Sequence, residues 1–237
     1  MFELNDTQIK LVTEKFKEES VQAHQAVWKK RQYAPMNIFK PEMKPLLDQI
    51  HSELPNYTVL FDVIFESDGK KTDWHCDYES LGPFIVENSW KSINETHFAS
   101  IHFNTTENGG SLVTLDWKIM SYMYHFIIVL FGIFSPIHLF VNKVFYPLFH
   151  MFGKVHSNTR GKGNFFDNMR LHSVNSGAPR ISYVIRLVKN KTVTITKDSI
   201  ENGIKRSNAC LAFVPILDHV EKKPLYASEI PWHTMET

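Results

Sequence analysis

The sequence predicts a mainly β protein with flanking helices: a double-stranded β-helix, or jelly roll, with N-terminal helices and an inserted apolar helical hairpin. Three observations carry this. Many short β-forming runs follow one another, Gly/Asn/Asp turns separate them, and amphipathic helical periodicity comes first in the chain. At 237 residues the chain suits one sizeable core. The expectation is a single domain over 1–237, with the apolar insertion at 118–153 inside it.

Asn5 or Asp6 can cap a first helix running towards Lys30, with Ile9, Val12, Phe16, Ala23 and Val27 as an interrupted apolar stripe. A second helix, Pro45 to Leu54, buries Leu46, Leu47, Ile50 and Leu54. Tyr57, Val59, Phe61, Val63 and Phe65 alternate as one strand face, and Ser67-Asp68-Gly69-Lys70 turns the chain. Thr72 to Tyr78 returns, and Leu81-Gly82-Pro83-Phe84 breaks regular structure. A hairpin follows, from Ala99–Asn104 through Glu107-Asn108-Gly109-Gly110 to Ser111–Leu115. Further strands are expected at Gly163–Asp167, Leu171–Val174, Arg180–Val188 and Lys191–Thr196. No internal repeat is visible, and the tail after Pro215 carries no clear pattern.

Between Ile119 and Gly153 the only formally charged residue is Lys143. Ser135-Pro136 divides this stretch into halves that are apolar on every side, unlike ordinary surface helices. Each is shorter than the roughly 20 residues a helix needs to cross a bilayer. A re-entrant or interfacial helical hairpin bent at Pro136 is expected, with Tyr122, Tyr124 and Tyr146 at the headgroup boundary and Lys143 reaching for water. A lid over the protein's own core and a homodimer contact are the competing uses of 119–152.

Charges nearly cancel, 26 basic against 25 acidic, so no nucleic-acid partner is indicated. Cys76 and Cys210 make no disulfide framework, and Met1 to Lys30 lacks the apolar core of a secretory leader. An intracellular, cytoplasmic protein that associates with a membrane is the expectation. The sequons at Asn56 and Asn104 fall in or beside expected core strands, where a glycan has no room.

The most informative pattern is His75-Cys76-Asp77, answered downstream by His172 and by Arg180-Ile181-Ser182. In a strand, positions i and i+2 share a face, so His75 and Asp77 point together while Trp74, Cys76 and Tyr78 turn into packing. An imidazole from a neighbouring strand completes two nitrogens and one carboxylate on one side of a metal. The opposite side stays open, which suits a non-haem Fe(II) that activates dioxygen.

This ordered set, with Phe166-Asp167-Asn168-Met169-Arg170-Leu171-His172-Ser173-Val174 around the distal histidine, resembles the 2-oxoglutarate and Fe(II)-dependent dioxygenases. The resemblance covers Tyr57 to Val188, interrupted by the apolar insertion. It implies His75, Asp77 and His172 as metal ligands and catalytic centre, with Fe(II), O2 and 2-oxoglutarate, and ascorbate in support. It selects His172 over His97, His102, His156 and His219, with His102 reserved for packing or a place behind the ligands. Arg180 and Ser182 then anchor the cosubstrate's C5 carboxylate, since a guanidinium forks onto a carboxylate and the serine shares its strand face. Arg186 is the reserve anchor or a substrate contact. Asn104 is an extra hydrogen-bonding group for the cosubstrate or an ordinary turn residue, and Tyr57 faces the pocket or the core. The implied activity is hydroxylation of an unactivated C–H bond of a small or lipid-like substrate, releasing succinate and CO2. Asp77 speaks against the family's halogenases, which lack that carboxylate. The alternatives are a prolyl-type hydroxylase of protein residues, which the distal segment also resembles, and a catalytically silent jelly-roll module that binds at a membrane.

Overall fold

The computed structural model describes residues 2–22, 32–34, 36–77, 97–131, 136–206 and 216–229. Its strands are β1 (Phe2–Glu3), β2 (Val21–Gln22), β3 (Gln32–Ala34), β4 (Tyr57–Ser67), β5 (Phe98–Asn104), β6 (Ser111–Leu115), β7 (Lys154–Ser157), β8 (Lys162–Asp167), β9 (Leu171–Val174), β10 (Arg180–Lys189), β11 (Thr194–Ile195) and β12 (Leu225–Tyr226). The helices are α1 (Asp6–Glu19), α2 (Lys44–Glu53), α3 (Lys118–Phe131), α4 (Pro136–Phe152), α5 (Lys197–Arg206) and α6 (Leu217–Lys222). A major sheet runs β1-β8-β5-β10-β4-β3-β2, and a minor sheet runs β7-β6-β9. All their named strand pairs are antiparallel. These sheets with flanking helices are consistent with the expected jelly roll.

Strand parity sorts the side chains into layers. On one face of the major sheet, Ala99, Ile101, Phe103, Tyr183, Ile185 and Leu187 share a core with Ile9, Val12 and Phe16 of α1 and Leu46 and Ile50 of α2. On the other face, Phe61, Val63, Phe98, Val184 and Val188 join Met169 and side chains of α5 and α6. A third cluster lies on the minor sheet, where Val113, Leu115 and Leu171 meet Trp74, Cys76, Tyr124 of α3 and Phe149 of α4.

Several expectations are corrected. The first helix stops at Glu19, because Ser20 turns extended and leads into β2, while Ala23 and Val27 lie outside the described residues. The alternation from Tyr57 to Phe65 is interrupted by a register shift: Arg186 faces Phe61 and Leu187 faces Val59. That bulge puts Leu60 beside Phe61 in one core, while Val59 joins the helix side. Of the two readings of Tyr57 the core one holds: it packs on the helix side, edge-on to Phe165. The run at Lys191–Thr196 shrinks to β11, paired with β12. The break at Leu81–Phe84, Tyr78 and Cys210 lie outside the described residues. The turn at Gly69 is as expected: φ is +79°, and a Cβ there would sit 2.4 Å from the Gly177 carbonyl oxygen.

The apolar stretch forms α3 and α4 between β6 and β7, with Pro136 at the start of α4 and residues 132–135 outside the described residues. No described helix is long and apolar enough to cross a membrane. Tyr124 is buried in the minor-sheet cluster and Tyr122 packs against the main core, so neither sits at a lipid boundary. The Tyr146 side chain lies outside what is described.

Candidate metal centre

Segment Thr72–Asp77 runs alongside β9 as a short antiparallel edge. Thr72 N–H donates to the Val174 carbonyl, His75 and His172 exchange both backbone hydrogen bonds, and Asp77 N–H donates to the Asn168 carbonyl. Residues paired this way project on one face, so the two imidazoles lie side by side with centroids 4.4 Å apart. Asp77, two residues on, joins them. The ligand atoms of His75, Asp77 and His172 all lie within 4.8 Å of one another, the separation a single metal ion can bridge.

Backbone carbonyls orient both rings. His75 Nδ1 lies 2.7 Å from the Asp73 carbonyl and His172 Nδ1 2.9 Å from the Arg170 carbonyl. A carbonyl only accepts, so each Nδ1 carries a proton and each Nε2 is the nitrogen turned towards Asp77, able to give a lone pair to a metal once deprotonated. Those Nε2 atoms lie 3.7 and 3.5 Å from Asp77 Oδ1. The other carboxylate oxygen, Oδ2, accepts from Arg186 Nη1, which also donates to Ser100 Oγ at 2.7 Å. Burial pushes the Asp77 carboxyl up, but the charge of Arg186, then His172 and His75, outweighs it and holds the group well below the usual carboxylate range. Trp74 and Cys76 face away into packing, as strand parity requires.

The facing wall comes from the major sheet. Ser182 pairs with Asn104 and Phe65, Val184 with His102 and Val63, and Arg186 with Ser100 and Phe61. Arg180, Ser182, Val184 and Arg186 therefore share one face of β10. Arg180 and Ser182 are buried, and Ser182 Oγ, His102 Nε2 and Arg186 Nε have no hydrogen-bond partner among the described residues. His102 stacks on Phe65, and burial followed by the charges of Arg180 and Arg186 pushes its pKa down to about 3, so it stays neutral. Two arginines, a neutral imidazole and an unsatisfied hydroxyl make a wall that fits a carboxylate ligand.

Two assignments change. Arg186, expected as a reserve anchor or substrate contact, is bonded to Asp77. Asn104 has no capacity left for a cosubstrate: its Nδ2 donates to the Thr106 and Asn158 carbonyls, and its Oδ1 accepts from Thr106 N–H and Oγ1. It ties the turn, and Gly109 lies so close that a Cβ would come within 2.2 Å of it. Of the competing histidines, His156 bonds Thr114 on the minor sheet and His219 is exposed on α6, both outside the triad.

The two inserted helices also reach this site. Asn142 of α4 clamps Trp74, accepting from its N–H at 3.1 Å and donating to its carbonyl at 2.9 Å. Ser121 of α3 accepts from Leu171 N–H at 3.2 Å. Each bond falls on the residue just before a triad histidine. A lone amide and a lone serine in apolar helices were the signals that could have identified them. Asn168 is fully buried with neither end of its side-chain amide bonded among the described residues, and its carbonyl accepts from Asp77.

No family model matches the sequence, and no curated protein matches it. Among solved structures, HygX from Streptomyces hygroscopicus with nickel and 2-oxoglutarate bound superposes with a TM-score of 0.50 at 9% identity, covering 78% of this chain and 80% of that one. SnoN, a non-haem α-ketoglutarate-dependent epimerase of nogalamycin biosynthesis, gives 0.47 at 11% identity over 81% and 76%. EctD from S. alaskensis gives 0.45 at 14% identity over 76% and 67%. The likeness to HygX is one of fold.

Proposed function

We propose that this chain is an Fe(II)- and 2-oxoglutarate-dependent oxygenase that hydroxylates a C–H bond of a small or lipid-like molecule. The observation that carries the reading is the convergence of two walls. On one, His75 Nε2, His172 Nε2 and Asp77 Oδ1 face one another within metal-binding reach. On the other, buried Arg180 and Ser182 share a strand face. When bound, Fe(II) with 2-oxoglutarate and O2 supplies the oxidation, with succinate and CO2 as coproducts.

The chain's own residues divide the remaining work. His75 and His172 offer lone pairs held in place through their Nδ1 protons, and Asp77 offers one oxygen while Arg186 holds the other. The single carboxylate offsets part of a divalent ion's charge and leaves the face opposite the three ligands to exchangeable groups. Arg180 receives the distal carboxylate of the cosubstrate as a forked donor, and Ser182 adds a hydroxyl. Neutral His102 adds no charge to that pocket.

The test is succinate formation from 2-oxoglutarate with Fe(II) and ascorbate, which proceeds slowly even without the prime substrate. His172→Ala is expected to abolish it. Arg180→Ala is expected to raise the 2-oxoglutarate requirement about ten- to a hundred-fold while metal binding persists, the loss of a charge-assisted hydrogen bond. No succinate from the iron-loaded wild type would return the chain to a binding module with this fold.

A further inference from the structure

We propose that α3 and α4 seat the protein on an anionic membrane surface. Among the described residues, all the exposed large apolar side chains except Val155, Phe165 and Tyr226 lie between Trp117 and Phe152. On α3, Ile119, Met123, Phe126 and Leu130 recur at helical spacing as one exposed row. On α4 the exposure is broader. Ile137, Phe140, Val144 and Leu148 form a row flanked by Leu139 and Phe145, covering roughly two thirds of the circumference at 100° per residue. Only Asn142 and Phe149 of its described side chains are buried.

Charge selects the occupant. From Lys118 to Lys154 the chain has three lysines, all exposed, and no acidic residue, although the whole chain is balanced. A two-fold contact between copies would bring three lysines against themselves with one exposed carboxylate, Asp116 before Trp117, to meet them, and a partner helix would cover one stripe of α4 and leave the rest wet. Lipid solvates the whole apolar arc, and anionic headgroups meet the lysines. Trp117 and Phe152, exposed with ring centroids 4.9 Å apart, close the base of the pair in the manner of interfacial aromatics. Neither helix spans a bilayer, so the pair lies in the interface plane. Its tether is polar: Ser121 and Asn142 join it to the strands that carry His172 and His75.

Flotation of the full chain with phosphatidylcholine vesicles, with and without phosphatidylserine, tests this without any turnover, so its outcome is separate from that of the oxygenase reading. The wild type is expected to float with the serine-lipid vesicles, less so in high salt, and poorly with phosphatidylcholine alone. The double variant Phe126→Ser, Phe140→Ser is expected to stay below with an unchanged circular dichroism spectrum. If that variant loses its native spectrum, Lys143→Glu decides: reduced flotation upholds the proposal and unchanged flotation overturns it. A wild type that stays below with both vesicles, or floats equally with both, overturns it. So does a wild-type dimer that the double variant splits, because a second copy then covers the face.

Discussion

Helix pairs on opposite sides of this protein are held by opposite means. Helices α1 and α2 lay apolar stripes on the major sheet, with Val12 and Ile50 fully buried and the N-terminus closed by a reciprocal Asn5–Gln8 capping box. Helices α3 and α4 contribute little buried apolar surface beyond Tyr124 and Phe149, and they attach to the site strands through Ser121 and Asn142. The first pair serves the core. The second turns its apolar surface outward and Ser121 and Asn142 inward, towards the backbone beside the metal ligands. An element's composition therefore does not say which face it buries. What it docks against does.

The largest expected effect belongs to the core-bound pair. Ile50→Ala should cost about 2–5 kcal/mol in denaturant unfolding, from lost burial plus the cavity left behind, with metal affinity unchanged. A parallel drop in affinity would break the separation between the two pairs.

The same side holds a buried carboxyl, Asp62, which accepts from Tyr183 Oη at 2.8 Å. Burial, only partly offset by hydrogen bonds from Tyr183 and the backbone of Asn37 and Ile38, raises its pKa from 3.8 to about 6. Between these values the folded state holds a proton that the unfolded chain has released, so this group's contribution to stability falls as pH rises. Relative to Asp62→Asn, the wild type should lose about 2 kcal/mol between pH ~4 and ~6. A flat difference in unfolding free energy across that window would place the ionisation elsewhere.

Next comes the polar tether. Asn142→Ala strips both hydrogen bonds from the Trp74 backbone and should cost about 2 kcal/mol, from buried groups left unpaired. Because Trp74 precedes His75, calorimetric titration with Fe(II) should also show metal affinity falling about ten-fold or more. Unchanged affinity would make the tether a scaffold contact with no bearing on the site. The smallest effect is expected at Phe140, 64% exposed, where Phe140→Ser should move thermal unfolding by no more than about 0.5 kcal/mol. A larger loss would mean that the face is covered by protein.

Much of this was legible in the residues because the governing forces are local. Two-residue periodicity placed His75 and Asp77 on one face with Trp74 and Cys76 behind them, and it placed Arg180 and Ser182 together. Turn chemistry located the chain reversals at Gly69 and at Glu107–Gly110. The helical period found α2 nearly to its ends, and Ser135-Pro136 marked the division of the apolar stretch at the start of α4.

What local pattern leaves open is register between segments far apart in sequence. The bulge that splits Leu60 and Phe61 from Val59 exists only in pairing with β10. Arg186 meets Asp77 because β10 carries its guanidinium past Ser100 to a segment more than a hundred residues earlier. Asn104 spends its amide on a turn whose far side, Asn158, comes from the other end of the insertion. Where no bulge intervenes, as at His75 and Asp77, the residues alone thus determined which side chains share a face, since that depends on backbone geometry within a few positions. Only the tertiary structure decided which faces meet, because a buried polar group takes the partner that long-range packing brings within hydrogen-bond distance.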